Sequence, residues 1–316
     1  MAYKQFVIRP IEHGLNIDAP SLGQDVQYAG WESKNFKIKK RAFRKRNGYT
    51  NVRNLGTGVD VQRIIYHQTR DGITSTLFLT DTDAVKYESG GTWSYINKMH
   101  TGGTSAEVAT GTESQVDGVG TDWVDATDMT APAAGDHFIL DTDYTSDEEP
   151  QDWAEISSVD SDTQLTLVDN YGGTLDSAGN YYIRKAYSVP SNERWSWAIL
   201  NSNLYFSNGN EYVQVWTGSG TATDLDTTYA KKARYIIEYA DRLIMADYED
   251  TGSNRQPFSI FWSKEGDPSD WSDSTAGEAD LLDTEYYIMG LGKVGANLVI
   301  YKTDSITFAY RSGTAT

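Results

Sequence analysis

The chain contains no cysteine, which excludes disulfide bonds, thiol catalysis and Cys-ligated zinc or iron–sulfur centres. Its four histidines, His13, His67, His100 and His137, are scattered and show neither the His-x3-His nor the His-Glu-x-x-His spacing of a zinc site. No run approaches the roughly 18 apolar residues of a membrane span, and Met1-Ala2-Tyr3-Lys4-Gln5-Phe6 has no apolar signal core. Gly-x-Ser-x-Gly elbows, Walker loops and dinucleotide glycine loops are missing too. Amphipathic helical periodicity is almost absent. The most localised absence is of positive charge. Residues 101–183 carry 18 Asp/Glu and no Lys or Arg, against 15 basic and 9 acidic residues in 1–100 and 12 basic and 18 acidic in 184–316. A shift that abrupt marks a domain boundary.

What the chain does have is the vocabulary of strands and tight turns. Of 316 residues, 21 are Tyr, 9 are Trp and 28 are Gly; aromatics favour pleated surfaces and glycine the turns between them. Strand-sized runs at Gln62–Gln68, Ser75–Thr80, Ala84–Glu88 and Thr92–Ile96 are separated by Arg70-Asp71-Gly72 and Ser89-Gly90-Gly91. The pattern returns at Trp195–Leu200, Leu204–Ser207 and Glu211–Trp216, then at Tyr235–Tyr239, Arg242–Ala246 and Phe258–Ser263. It ends with Tyr286–Leu291, Asn297–Lys302 and Ser305–Tyr310. Meanders of three or four strands at roughly 40–50-residue spacing predict propeller blades, with a two-sheet sandwich as the alternative. Between them, His137–Leu140, Trp153–Val159 and Gln164–Leu167 predict a small β-barrel or sandwich inserted into the meander, at a place where loop closure is cheap. The expected class is therefore all-β. An N-terminal arm and first blade occupy 1–102, an acidic inserted domain 103–186 and resumed blades 187–316.

Candidate sites are few. Asp141, Asp143, Asp147 and Asp152 fall on the oxygen positions of a calcium loop, but Ser146 stands where the turn glycine belongs and Asp152 replaces the long bidentate glutamate. Ser263-Lys264-Glu265-Gly266-Asp267-Pro268-Ser269-Asp270-Trp271 has the flavour of a sialidase Asp-box with the wrong spacing, and no motif places converging arginines. It is expected to be a Gly/Pro turn whose Trp271 packs on the sheet. Carboxylates are plentiful, and their density is ascribed to solubility; no catalytic constellation is found, so the chain is expected not to be an enzyme and to need no cofactor. The run Lys34, Lys37, Lys39, Lys40, Arg41, Arg44, Lys45, Arg46 places eight cations in 13 residues. It is expected to be an assembly contact, with nucleic-acid binding or a plain solvated face as alternatives.

Several phrases resemble those of tail-hub and tail-nozzle propeller proteins of short-tailed bacteriophages. They include Gly14-Leu15-Asn16, Pro20, Asn35 and Arg44-Lys45-Arg46-Asn47-Gly48-Tyr49, then Leu204–Val213, then Phe258–Ser263 with Gly266-Asp267-Pro268 and Trp271. Ile288, Gly290-Leu291 and Leu298-Val299-Ile300-Tyr301-Lys302 with Ser305-Ile306 continue the likeness. Gly120-Thr121, Trp123, Ala134-Gly135-Asp136 and Val159–Leu167 are similar to small β modules of phage tails. The resemblance implies a structural virion protein made in the host cytoplasm, a subunit of a ring (hexameric by the resemblance) beside other tail or portal-adaptor proteins. Genome DNA would pass through that ring without specific binding. A receptor- or glycan-binding tail adhesin is the alternative, and a polysaccharide-degrading enzyme ranks third. About three and a half blades are visible, too few for an ordinary closed propeller; either the natural product is longer or subunits complete the ring between them.

Overall fold

The computed structural model describes residues 36–39, 42–45, 60–88, 93–101, 105–124, 131–144, 153–190, 193–226, 228–229, 232–282 and 286–310. Among the described residues every regular element is a β-strand and every pairing is antiparallel, so the fold is all-β. The chain divides into two compact units, 1–55 and 56–316. In the first, β1 (Phe36–Lys39) and β2 (Ala42–Lys45) form a hairpin in which Lys37 faces Arg44 and Ile38 faces Phe43 across the ladder.

The second unit begins with a four-stranded meander, β3 (Val61–Gln68), β4 (Thr74–Thr80), β5 (Ala84–Glu88) and β6 (Trp93–Tyr95). The chain then enters a seven-stranded sheet through β7 (Met99–Thr101). It continues through β8 (Ser105–Glu107), β9 (Gln115–Val119), β10 (His137–Leu140), β11 (Ala154–Ser161) and β12 (Gln164–Leu167), and leaves through β13 (Tyr181–Arg184). The spatial order is β7-β13-β10-β11-β12-β9-β8, so entry and exit strands are neighbours, with Met99 opposite Arg184. A bridge between Ala106 and Gly179 links the far edge back toward β13, so the sheet curls around one core. That core holds Trp123, Phe138, Leu140, Ile156, Leu165, Tyr181 and Ile183, all at most 2% exposed. The Trp123 indole N–H donates to the Tyr181 hydroxyl at 2.9 Å, satisfying a donor that burial would otherwise strand.

Three more meanders follow. One is β14 (Ser196–Leu200), β15 (Asn203–Ser207), β16 (Gln214–Trp216) and β17 (Thr223–Asp224). The next is β18 (Ala233–Tyr239), β19 (Arg242–Glu249), β20 (Arg255–Trp262) and β21 (Gly277–Asp280). The last has three strands, β22 (Ile288–Val294), β23 (Asn297–Lys302) and β24 (Ile306–Tyr310). Two-residue turns join hairpins at Asn201-Ser202 and Ala240-Asp241, with positive φ at both residues of each pair (54 and 65°, 53 and 56°). This is the twist-matched geometry of a type I′ turn.

The four meanders stack face to face in series. Ile65, Leu77 and Leu79 of the first sheet share a cluster with Leu204, Phe206 and Trp216 of the second. Tyr205, on the other face of β15, joins Leu243 and Met245 of the third. Ile244 and Ala246, on the far face of β19, join Ile288, Leu298 and Ile300 of the fourth. Because β19 is covered on both sides, Leu243-Ile244-Met245-Ala246 reads as a continuous apolar run rather than an alternation. Among the described residues no buried cluster joins the fourth sheet back to the first.

Candidate functional site

The first strands of all four meanders converge on a cavity of about 450 Å³. Arg63 comes from β3, Ser196 and Trp197 from β14, Tyr235, Ile236 and Ile237 from β18, and Gly290 and Leu291 from β22. This convergence follows from serial stacking, since the same edge of each sheet faces the same axis. The space is too small for duplex DNA, whose major groove alone is about 12 Å wide.

A second, charged cleft of about 230 Å³ lies where the exit strand β13 hands the chain to the second meander. Its walls carry Lys98, Lys185, Glu211, Tyr212, Gln214 and Asp224. Lys98 Nζ reaches Asp224 at 2.5 Å, and Gln214 Nε2 donates to the other Asp224 oxygen at 2.5 Å. Lys185 Nζ meets Asp136 at 2.5 Å and also donates to the Ala131 carbonyl. Burial pushes the Glu211 carboxyl up, against the Ser188 amide that donates to it at 3.1 Å and the nearby Lys185 and Lys232; Asp136 adds to the rise. Tyr187 lies beneath, its hydroxyl accepting from the Lys98 amide at 3.1 Å, and burial pushes its titration far up. The cleft thus sets a carboxyl group that burial holds against ionisation beside the carboxylate paired with Lys98, with hydroxyl and amide donors around them. That chemistry can hydrogen-bond a polyhydroxylated ligand.

The third cleft, about 240 Å³, is built on Asp247. This residue sits at a bulge in β19 with φ of 49°, a left-handed conformation unusual for a non-glycine, and its carboxylate is fully buried. Arg255 clamps it through two contacts of 2.6 Å, and Arg234 adds one of 3.1 Å while also pairing with Glu193. The charge-assisted fork offsets the cost of burying the carboxylate. Two arginines from β18 and β20 therefore converge here, which no linear motif announced. Their charge is already engaged by Asp247 and Glu193.

The positions singled out in the sequence fare differently. Asp141 is exposed, while Asp143 accepts from the Tyr171 hydroxyl (2.6 Å), the Thr174 amide (2.9 Å) and the Thr174 hydroxyl (2.6 Å). Asp147 and Asp152 lie outside the described residues, and among those described no group of three or more His, Asp or Glu could hold a metal ion. Lys37 and Lys39 fall on β1 and Arg44 and Lys45 on β2; Lys34, Lys40, Arg41 and Arg46 lie outside the described residues. Trp271 is 3% exposed and packs 5.0 Å from the Phe261 ring, as the turn reading expected.

No known family profile matches the chain, and no curated protein matches it. A solved structure, the phage phi92 endosialidase, resembles it at 12% identity with a TM-score of 0.26, covering 76% of this chain and 41% of that one. The chain thus spans less than half the length of that structure. At that score the likeness carries no argument about fold or about a reaction of this chain. The chain was expected not to be an enzyme; the solved structure it resembles is an enzyme by its name, and the non-enzymatic expectation is withdrawn. The reading rested on missing linear motifs, and carboxyl pairs are brought together by folding rather than by spacing. Glu211 and Asp224 in one cleft illustrate the point.

Proposed function

We propose that this chain is a structural component of a bacteriophage tail, a subunit of a hub or nozzle ring that forms part of the DNA exit conduit. The observation that carries the reading is the serial stack of four antiparallel meanders, whose buried side chains are spent on joining sheet to sheet. Such a stack supports reading the chain as an arc of a β-propeller, the architecture that the sequence resemblance implies. In this reading the conduit runs between copies, because the cavity inside one copy is too small for a duplex. Neighbouring tail and portal-adaptor proteins are its partners, the virion is its destination and the host cytoplasm its place of synthesis. Negative-stain images of the purified chain test the reading. Rings with a central hole wide enough for duplex DNA are expected; isolated particles at every concentration overturn it.

A second reading, a glycan-binding tail adhesin, is favoured by the charged cleft. Its Glu211, Asp224, Gln214 and Lys98 offer both donors and acceptors to sugar hydroxyls. Titrating host surface polysaccharide into the wild type and Gln214→Ala tests it, with release of reducing ends followed in the same samples. Saturable binding lost in the variant supports the reading, and no binding by the wild type removes it.

A further inference from the structure

Among the described residues most lysines and arginines of 60–310 pair with a carboxylate, as Lys98 does with Asp224, Lys185 with Asp136 and Arg255 with Asp247. Arg63 and Arg194 do not, and both line the cavity of about 450 Å³ between the four first strands. Arg63 Nη1 donates to the carbonyl of its neighbour Gln62 at 3.0 Å, and Arg194 makes no hydrogen bond or ion pair among the described residues. The side-chain acceptors beside them are already engaged. Glu193 pairs with Arg234, and the Ser196 hydroxyl accepts from the Ile236 amide at 2.8 Å while donating to the Ile236 carbonyl at 3.1 Å. Trp197 lines the same cavity, 39% exposed and without ring contact to another aromatic among the described residues. β3, β14, β18 and β22 are each the end strand of their sheet, so backbone N–H and C=O groups on their free sides border this space as well. Two like charges lining one cavity repel, and an anion between them turns that repulsion into attraction.

We propose that this cavity binds a sugar bearing a carboxylate or phosphate group. The two guanidiniums hold the anion through their planar N–H forks, the geometry in which arginine exceeds lysine. The Trp197 indole gives the ring a flat apolar face and an N–H at its edge. Sugar hydroxyls both donate and accept, which suits the alternating N–H and C=O groups of a free strand edge. The volume lies within the roughly 300–1,000 Å³ of small-molecule pockets, room for about one or two sugar rings. The cavity shares no wall residue with the charged cleft, so the inference needs neither the glycan reading of that cleft nor the reading of the chain as a ring subunit.

Isothermal titration calorimetry of the full chain with D-glucuronate, D-galacturonate and glucose 6-phosphate tests the site, with D-glucose and inorganic phosphate as controls. At least one of the three anionic sugars is expected to bind saturably, about 10-fold or more tighter than either control and more weakly as salt rises. Which of them binds says whether carboxylate or phosphate is the group held. Arg63→Gln with Arg194→Gln should raise the dissociation constant about 100-fold, and Trp197→Ala about 10-fold. The arginine variant should melt as wild type does, because neither guanidinium supports the fold through an ion pair among the described residues. Arg63→Lys with Arg194→Lys keeps the charge without the fork and should fall between the two. Gln214→Ala, in the charged cleft, should bind as wild type. No binding by any of the three sugars up to about 10 mM overturns the proposal. So does binding that the glutamine variant retains, or inorganic phosphate held as tightly as the sugar phosphate. Binding lost in Gln214→Ala but kept in the arginine variant overturns this site and places the ligand in the charged cleft instead.

Discussion

The seven-stranded sheet and the meander series solve the same problem in opposite ways. The seven-stranded sheet curls around a core of its own, Trp123, Phe138, Ile156 and Tyr181 among others, and shares none of its buried cluster with the meanders. Among the described residues the meanders have no private cores: each of their clusters lies between two sheets, so each sheet is stabilised through its neighbours. The charge follows the same division, since 101–183 hold 18 acidic residues and no cation. A self-contained core tolerates high net charge on its surface, while a shared core ties the stability of each sheet to that of the next. The difference predicts two thermal transitions, separately addressable by substitution.

The largest effect should come from breaking one shared cluster. Trp195 is fully buried between the first two meanders, its indole donating to the Thr80 carbonyl at 2.5 Å and its ring 5.5 Å from Phe206. Trp195→Ala should cost the meander series about 3–5 kcal/mol. Calorimetry should show one transition move down and the other stay. A common shift of both would mean that the two regions melt as one unit.

Acid should break the comparison from the other side. Burial, helped by the charge of Arg184, pushes His137 in β10 down to about 3. The folded state keeps this imidazole neutral, while the unfolded chain protonates it below the ordinary value of about 6.5. The unfolded state then holds more protons, so stability is full above pH 6.5 and falls as pH drops from 6.5 toward 3. Across that window the loss is on the order of 3–5 kcal/mol. His137→Phe should flatten the acid dependence of the seven-stranded transition. Residues 99–186 expressed alone should fold as a β unit and show the same dependence, becoming more stable as salt screens their acidic surface. A random-coil spectrum at low and high salt would remove the idea of a separable domain.

Most strands were legible because period-two alternation and turn residues coincide. Gln62–Gln68, Ser75–Thr80, Ala84–Glu88 and Thr92–Ile96 became β3–β6 within a residue or two. Ser105–Glu107 and Gln115–Val119 were not legible, because they carry few β-branched or aromatic residues and the latter includes Gly118. The Ala240-Asp241 turn lacks the Asn-Gly or Asp-Gly signal of its type. The charged cleft was invisible for a different reason. Lys98, Asp136, Lys185, Glu211 and Asp224 meet only because β13 runs beside β7 and delivers the chain to the second meander, and no spacing encodes that. The outward face of β24 was read as an ordinary strand, since alternation reports a face without saying which side is covered.

The junction between the two regions sharpens the comparison at a smaller scale. Asn97 is fully buried; its carbonyl accepts from the Ala84 amide at 2.8 Å and its amide donates to the Lys185 carbonyl at 2.8 Å. Beside it the Arg184 guanidinium lies 3.4 Å from the centre of the Tyr95 ring and 5.0 Å from that of Trp153. Asn97→Ala leaves buried backbone groups unpaired and should cost about 1–3 kcal/mol. The two transitions should move further apart, because what is lost is coupling rather than either core. Unchanged spacing would place the coupling elsewhere.

The smallest effect on folding should come from the basic segment. Reversing Lys39, Lys40, Arg44 and Arg46 to Glu alters positions on or next to the β1–β2 hairpin, in the unit of residues 1–55. Charge substitutions outside a packed core usually change stability by no more than about 0.5 kcal/mol each, so both thermal transitions should stay in place. Association is where the change should appear, because the remainder of the chain is acidic and a neighbouring copy or tail protein offers complementary charge. Light scattering at rising salt should show wild-type assembly weakening toward that of the variant. A grip on DNA would instead give steeply salt-dependent duplex binding that the four reversals abolish. A conduit needs the opposite, because a wall that holds each phosphate slows the polymer passing it, so no duplex affinity near physiological salt is expected. Tight binding lost in the variant would move nucleic acid ahead of assembly as the role of this segment.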